Sequence, residues 1–212
     1  MRFVIAALAR LLGLRHADDA VPLGALRWVV VDCESSGLDP ERDRLLSIGA
    51  VAVRGGRVDH ADTFGAVLQQ KEASEVPNIL IHGIGAEAQL GGRDPAAVLD
   101  EFARYVAGGT PVAFHAAFDR ALFKRAMPRW QHRWLDLAQL APALFPARAR
   151  SCKSLDEWLA AFAIEHPARH EAVADAYATA QLLLVLLAEG ERQGLTDAGD
   201  LFAAERGGRW LG

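Results

Sequence analysis

The chain has few cysteines and lysines and no long uninterrupted apolar run. Its 212 residues include two cysteines, Cys33 and Cys152, too few for a disulfide framework, which favours a reducing, cytoplasmic location. No apolar stretch reaches the ~20 residues that a membrane-spanning helix needs, so no membrane span is predicted. Positive charge comes from 20 arginines and 3 lysines, and the net charge is −4. A nucleic-acid binder of that sign must rely on a local basic patch and on metal ions.

The length suits one main domain with small appendages. We expect an N-terminal helical extension over residues 1–26, a main domain over residues 27–190, and a C-terminal helix and tail over residues 191–212 that pack on this domain. Residues 3–14 are apolar except for Arg10. A signal peptide is the alternative interpretation, but the arginine interrupts the segment, so an amphipathic helix on the core or on a partner is favoured.

Alternation and turn signals predict an α/β domain with a mixed central sheet. Residues 28–31 are large and apolar, and residues 45–54 and 57–68 are two further runs typical of strands. Gly55 and Gly56 join these two runs, which is a strong hairpin signal because both residues can adopt positive φ. Alternating helices and strands follow this antiparallel meander, as in α/β folds.

Two later segments carry helix signals. Asp94 followed by Pro95 predicts an N-cap and the first position of a helix. Ser154 and Glu157 have the spacing of a capping box. We expect residues 69–93 to be irregular because proline and several glycines interrupt them, and a loop of this length is usually functional or disordered.

Two carboxylates lie at the end of the first predicted strand. Asp32 and Glu34 are two positions apart, and alternate residues of an extended chain point to the same side. Two anions at the end of a buried strand are costly unless cations neutralise them. Hard oxygen ligands favour Mg²⁺ or Mn²⁺. The alternative is a strand that simply ends in polar residues.

Three further residues could share this site. Asp119 begins the helix after the fourth strand, Asp175 lies in the first turns of a later helix, and His170 precedes Asp175 by five positions. Each has a simpler interpretation. Asp119 could be an acid favoured by the helix dipole, Asp175 could cap or pair with an arginine, and His170 could be a surface loop histidine. The order and surroundings of all five residues together are much more specific.

These residues match three motifs of a known family. The motifs read Val-Val-Val-Asp32-Cys-Glu34-Ser-Ser-Gly-Leu38, Val112-Ala-Phe-His-Ala-Ala-Phe118-Asp119 and His170-Glu-Ala-Val-Ala-Asp175-Ala176. Over about residues 27–190 the chain resembles the DEDD superfamily of 3′–5′ exonucleases, in the histidine-bearing DEDDh branch that includes ribonuclease T and the proofreading epsilon subunit of bacterial DNA polymerase III. Two departures stand out: serines replace the usual threonine pair at positions 35 and 36, and His115 stands where the family often carries asparagine.

The resemblance implies a ribonuclease H-like fold, with a five-stranded mixed sheet whose first three strands are antiparallel. It also implies a catalytic centre with two divalent cations, Mg²⁺ or Mn²⁺, and the ligands are then Asp32, Glu34, Asp119 and Asp175. His170 would accept a proton from the attacking water. The expected reaction is hydrolysis of phosphodiesters from a free 3′ end of DNA, releasing nucleoside 5′-monophosphates.

The resemblance also implies where the terminal nucleotide binds. The expected substrate-binding residues are Ser35, Leu38, His82, Gly83, His115 and Phe118. Leu38 would lie beside the last base and Phe118 would stack near it. The alternatives are a solvent-facing loop position for His82 and core packing for Phe118. Between residues 120 and 153 there are eight arginines and lysines against one aspartate, and we expect this strip to follow the nucleic-acid backbone.

Two other functions remain open. An RNA-directed 3′–5′ exoribonuclease of the same superfamily would use identical carboxylate chemistry, and a nucleic-acid-binding or polymerase-associated module could lack turnover. The expected partners are the 3′ end of a single-stranded nucleic acid, with DNA favoured, and a polymerase or other protein bound through the N-terminal extension. His166, His170 and Cys152 do not predict a structural zinc site because a fourth ligand is missing.

Overall fold

A computed structural model describes residues 17–166 and 171–208 of the chain. Its centre is a five-stranded mixed sheet in the order β3-β2-β1-β4-β5. The strands are β1 (Arg27–Ser35), β2 (Leu45–Arg54), β3 (Arg57–Val67), β4 (Thr110–Ala113) and β5 (Leu135–Asp136). The first three strands pair antiparallel, and β4 and β5 run parallel to β1. The predicted α/β fold with a mixed sheet and an antiparallel meander is confirmed.

Helices cover both faces of this sheet. They are α1 (Val76–His82), α2 (Ala86–Leu90), α3 (Pro95–Val106), α4 (Ala116–Ala126), α5 (Leu137–Leu144), α6 (Leu155–Ala161), α7 (Ala172–Arg192) and α8 (Ala198–Gly208). The predicted caps are present. Asp94 accepts a hydrogen bond from the backbone of Ala97 at 2.9 Å, and Ser154 and Glu157 form both halves of the capping box. Gly55 and Gly56 have φ values of 54° and 71°, as the hairpin requires.

The segment 69–93 differs from the sequence prediction, because α1 and α2 lie within it. A proline sits in the first turn of α1, where its missing N–H has no helical partner to lose. Gly83 ends α1 with a left-handed φ of 68°. The prediction of an irregular segment is wrong here because helices of seven and five residues are too short to show a 3.6-residue period.

Two apolar clusters lie on opposite faces of the sheet, and the alternation of β1 assigns its residues to them. Trp28 and Val30 belong to the first core cluster, which includes residues of α5, α6, α7 and α8. Val29 and Val31 belong to the second core cluster, which includes residues of α3 and α4. Even-numbered positions of β1 therefore face α7 and odd-numbered positions face α4.

Helix α7 is long and apolar enough, by length and composition, to cross a membrane, with a mean hydropathy of 1.4 in its most apolar window. More than half of that window, 56%, is buried inside the protein. Leu182, Leu183 and Leu186 are fully buried in the first core cluster. Core packing therefore accounts for the apolar composition of this helix.

Residues 17–26 pack against the body of the domain. Two short 3₁₀ turns cover Ala17–Ala20 and Leu23–Ala25, and Leu23 is buried in the first core cluster. Pro22 forms a β-bridge with Asp197 at the start of α8. Most of the predicted N-terminal extension, residues 1–16, lies outside the described residues. The three predicted segment boundaries stay a prediction.

Candidate active site

Three carboxylates converge where the end of β1 faces the first turns of α7. Asp32, Glu34 and Asp175 each offer an oxygen, and these oxygens lie within 4.8 Å of one another. Asp175 is buried, and the other two are half-buried. Such spacing suits three oxygen ligands of one cation, since Mg²⁺ and Ca²⁺ bind oxygens at roughly 2.0–2.6 Å. This donor set fits a hard divalent ion, and its charges need one.

Two glycines allow α7 to approach the sheet closely enough to form this cluster. A Cβ at Gly49 would lie 2.1 Å from the backbone carbonyl carbon of Ala172, and a Cβ at Gly65 would lie 2.8 Å from a methyl group of Val173. Glu171 caps the helix by accepting a hydrogen bond from the backbone of Ala174 at 3.1 Å. The helix start is therefore fixed against β2 and β3, and Asp175 reaches over β1.

A second histidine lies at this site. The Nε2 atom of His166 is 2.9 Å from Oδ1 of Asp175, and the His166 side chain is only 7% exposed. The sequence alone predicts no role for His166 at this site. Its one sequence signal was its position four residues before His170. His170 itself lies outside the described residues, so its predicted part in catalysis stays a prediction.

Asp119 lies on the other face of β1. It is buried in α4, beside Cys33, the odd-numbered residue between the two β1 carboxylates. The compact carboxylate cluster found among the described residues does not include it. The alternation of β1 explains this separation. The role of Asp119 toward a metal ion stays a prediction.

Burial dominates the electrostatics of this second face. It raises the pKa of Asp119 to about 7, although hydrogen bonds from Cys33 oppose the shift. The charge of Asp136 also raises the pKa of Asp119. Burial, together with the charges of Asp119 and Asp32, raises the pKa of the Cys33 thiol well above its ordinary value. Cys33 is thus a neutral thiol next to a carboxyl that is easily protonated.

The loop after β1 is held by hydrogen bonds within the loop and from α4. Ser35 donates to the carbonyl of Gly37 at 2.6 Å, and Ser36 donates to Asp43 at 2.9 Å. Arg125 of α4 donates to the carbonyls of Pro40, at 2.7 Å, and Asp43. Arg125 belongs to the strip that the sequence predicts to contact nucleic acid, and the structure shows in addition that it anchors this loop.

Leu38 extends from this anchored loop into solvent. Its side chain is 89% exposed, the largest value among the exposed large hydrophobic residues that the structure describes. An exposed large apolar side chain suits contact with a flat apolar surface such as a nucleobase.

His82 is buried, so its side chain is not solvent-facing. Its Nδ1 accepts a hydrogen bond from the backbone of Ile84 at 3.1 Å, which leaves the proton on Nε2. Among the described residues Nε2 has no hydrogen-bond partner, and burial lowers the pKa of His82. Gly83 follows with its left-handed φ. The Nε2–H of His82 is therefore a buried donor without a partner among the described residues.

His115 and Phe118 lie at the start of α4. His115 is exposed and has a φ of 62°, a left-handed conformation that asparagine adopts more readily than most residues. Its backbone N–H donates to Oδ1 of Asp136 at 3.0 Å, which holds this conformation. Phe118 is half-buried and packs against the second core cluster, so its core-packing interpretation accounts for part of its side chain.

Comparisons with known proteins agree with the motifs. A family model described as an exonuclease family, RNase_T, matches residues 29–183. The PolC-type DNA polymerase III of Thermotoga maritima is 30% identical over 193 residues, which are 89% of this chain and 14% of that protein. A DNA polymerase III subunit epsilon-like protein of Rhodobacter capsulatus is 29% identical over 191 residues, covering 87% of this chain and 27% of that protein.

Solved structures share the fold. E. coli exonuclease I in complex with a dT13 oligonucleotide has a TM-score of 0.68 at 18% identity, covering 79% of this chain and 42% of that one. Exonuclease X in complex with 5′ overhanging duplex DNA has a TM-score of 0.65 at 21% identity, covering 84% of this chain and 99% of that one. The predicted ribonuclease H-like fold is confirmed.

The chain belongs to this exonuclease family, a family of DEDD nucleases. The family relationship rests on the family model, which covers most of the chain, and on the three motifs. The chain spans only about a seventh of the Thermotoga relative and about a quarter of the Rhodobacter relative. What those larger proteins do as wholes therefore does not transfer directly to this chain.

Proposed function

We propose that the chain is a metal-dependent 3′–5′ exonuclease that degrades DNA to nucleoside 5′-monophosphates. The observation that carries this proposal is the convergence of Asp32, Glu34 and Asp175 from β1 and α7, with oxygens within 4.8 Å of one another. Three carboxylates so close together repel one another unless a divalent ion binds among them. Membership of an exonuclease family makes phosphodiester hydrolysis the reaction that such an ion serves.

Asp32, Glu34 and Asp175 are the ligands we propose for Mg²⁺ or Mn²⁺, with Asp119 acting on a second ion directly or through water. When bound, two such ions supply an activated water and neutralise the leaving oxygen. His170 accepts the proton of that water, a role that suits a side chain with an unperturbed pKa near 6.5. Ser35 and Gly37 keep the backbone of the loop compact beside the cluster.

The substrate is a single strand with a free 3′ end. Leu38, His82 and Gly83 line the pocket of the terminal nucleotide, with Leu38 against its base. His115 and Phe118 line the same cleft from the start of α4. The DNA-bound structures of exonuclease I and exonuclease X support DNA as the polymer. The strip between residues 120 and 153, including the exposed Arg120 and Arg129, follows the strand.

The polymerase III relatives support a further part of the proposal, association with a polymerase or another protein. Residues 1–26 are the segment that we propose for this contact. The scarcity of cysteine supports a cytoplasmic location.

A direct test uses DNA and RNA of the same sequence, each labelled at the 5′ end, with Mn²⁺ or with EDTA. We expect Mn²⁺-dependent shortening of the DNA from its 3′ end, one nucleotide at a time. A matched oligonucleotide with a blocked 3′ end should persist. Faster digestion of RNA would instead identify an exoribonuclease. Binding of either polymer without metal-dependent shortening would identify a module without turnover.

A further inference from the structure

His166 is a buried imidazole next to a proposed metal ligand. Its side chain is 7% exposed, and its Nε2 lies 2.9 Å from Oδ1 of Asp175, whose side chain is 10% exposed. Among the described residues, neither ring nitrogen makes a hydrogen bond of good geometry. The contact with Asp175 is thus close but not well aligned.

Burial of an imidazole without aligned partners costs stability, because its nitrogens lose their hydrogen bonds to water and gain none in return. An imidazole that served packing alone would gain by directing its nitrogens to backbone groups, as His82 directs Nδ1 to Ile84. His166 instead directs Nε2 to a carboxylate of the acidic cluster. The other members of that cluster, Asp32 and Glu34, lie on β1, while His166 lies just before α7.

We propose that His166 is a positioning residue that holds the Asp175 carboxylate, through the 2.9 Å contact between Nε2 and Oδ1, in the orientation that binds the cation. The inference rests on the proposed function, since it assigns Asp175 to a metal. Fixing one carboxylate oxygen would leave the other free to bind the ion and would remove a rotation that otherwise has to be restrained on binding. Carboxylate ligands of metals are commonly fixed in this way, and loss of the partner typically costs 10–100-fold in metal affinity.

Calorimetric titration of Mn²⁺ into the full-length protein, without nucleic acid, tests this role separately from turnover. His166→Ala should weaken Mn²⁺ binding 10–100-fold. His166→Gln should restore it to within about threefold, because the glutamine Nε2 can occupy the place of the imidazole Nε2. His166→Asn is the matched control, since its amide ends at the place of Nδ1 and cannot reach Asp175. Circular dichroism of each variant checks that the fold is retained.

Equal Mn²⁺ affinity in the unchanged protein and in His166→Ala would overturn the positioning role. So would a glutamine variant that binds as weakly as the asparagine variant, because the imidazole would then act through its shape alone. Asp175→Asn should abolish the titration and shows that the carboxylate cluster is the site being measured. If the unchanged protein binds no Mn²⁺, the proposed function itself fails, an outcome distinct from equal binding by both proteins.

Discussion

Asp32 and Gly49 are partners in the β1–β2 ladder, and the backbone of Ala172 crosses Gly49 where a side chain would otherwise stand. The strand position that faces Asp32, the first proposed metal ligand, is therefore the position that admits the helix carrying Asp175. Together with Gly65, this glycine brings the first and third motifs together. The geometry of the cluster thus depends on Gly49, which has no side chain that could take part in catalysis.

Gly49→Ala should disrupt the cluster. A methyl group at this position would lie 2.1 Å from the Ala172 carbonyl carbon, so the start of α7 must move away from the sheet. Overpacking of this kind typically costs about 1–3 kcal/mol, and the backbone here yields less than a side chain would. We expect lower stability in urea and loss of the Mn²⁺-dependent gain in melting temperature.

Gly24→Ala, where a Cβ meets nothing within 4 Å, is the control and should retain both the stability in urea and the Mn²⁺ response. A Gly49→Ala protein with unchanged Mn²⁺ response would contradict this relationship.

Much of the fold was predictable because its signals are local. The hairpin at Gly55 and Gly56, the cap at Asp94 and the capping box at Ser154 each depend on residues within a few positions of one another. The pairing of Asp32 with Glu34 was predictable for the same reason, since strand alternation fixes it.

The remaining features depend on contacts between distant segments. The separation of Asp119 from the cluster follows from the face of β1 that α4 covers, which the sequence does not state. The His166 contact depends on how this residue approaches Asp175 in the folded chain. In the sequence, Arg125 does not differ from the other arginines between residues 120 and 153. Only the structure shows the loop that it anchors. Such contacts leave no periodic pattern.

The buried carboxyl of Asp119 should make the metal-free protein less stable as the pH rises. Its pKa is raised from 3.8 to about 7 in the folded state, so between these values the folded protein binds more protons than the unfolded chain. Below about pH 4 the folded state carries no cost from an ionised buried carboxylate, and above about pH 7 it carries that cost in full. At 1.36 kcal/mol per unit, the upper bound is on the order of 4 kcal/mol.

Urea unfolding in EDTA at pH 5 and pH 8 measures this effect. The unchanged protein should lose more stability between the two values than Asp119→Asn, which has no carboxyl to ionise. Asp136→Asn is a poor control because that carboxylate caps α5, so the exposed Asp156→Asn is preferred. Equal losses in the unchanged protein and Asp119→Asn would show that the buried carboxyl does not govern this pH dependence.

His170→Ala should lower the rate of hydrolysis by roughly 10²–10⁴-fold, the usual range for loss of a general base, and should leave Mn²⁺ affinity unchanged. Single-turnover digestion of a 5′-labelled oligonucleotide, at saturating protein, measures the rate apart from binding. His60→Ala replaces an exposed histidine that stacks on Tyr177 and serves as the control. Full activity of His170→Ala would remove this residue from the mechanism.

Arg125 and Arg129 should have separable effects. Arg129→Gln should weaken DNA binding and reduce the dependence of log affinity on log salt by about 0.7 if one phosphate contact is lost. Arg125→Gln should in addition free the loop that presents Leu38, because two of its carbonyls lose their donor. Limited trypsin digestion reports this as faster cleavage after Arg42.

Anisotropy titrations of a labelled single strand, in the Asp175→Asn background to prevent degradation, give the two salt dependences. An unchanged affinity and salt dependence in both variants would mean that the basic strip is only a solvated surface. Equal trypsin sensitivity of the two variants would contradict the loop-anchoring role of Arg125.

The most direct test of the metal-dependent 3′–5′ exonuclease compares the unchanged protein with Asp175→Asn on a 5′-labelled single-stranded DNA in Mn²⁺. The unchanged protein should produce a ladder of fragments that shortens from the 3′ end, and the variant should leave the strand at full length. Digestion of the strand by both proteins alike, or an intact strand with both, would contradict the assignment of catalysis to the Asp32, Glu34 and Asp175 cluster.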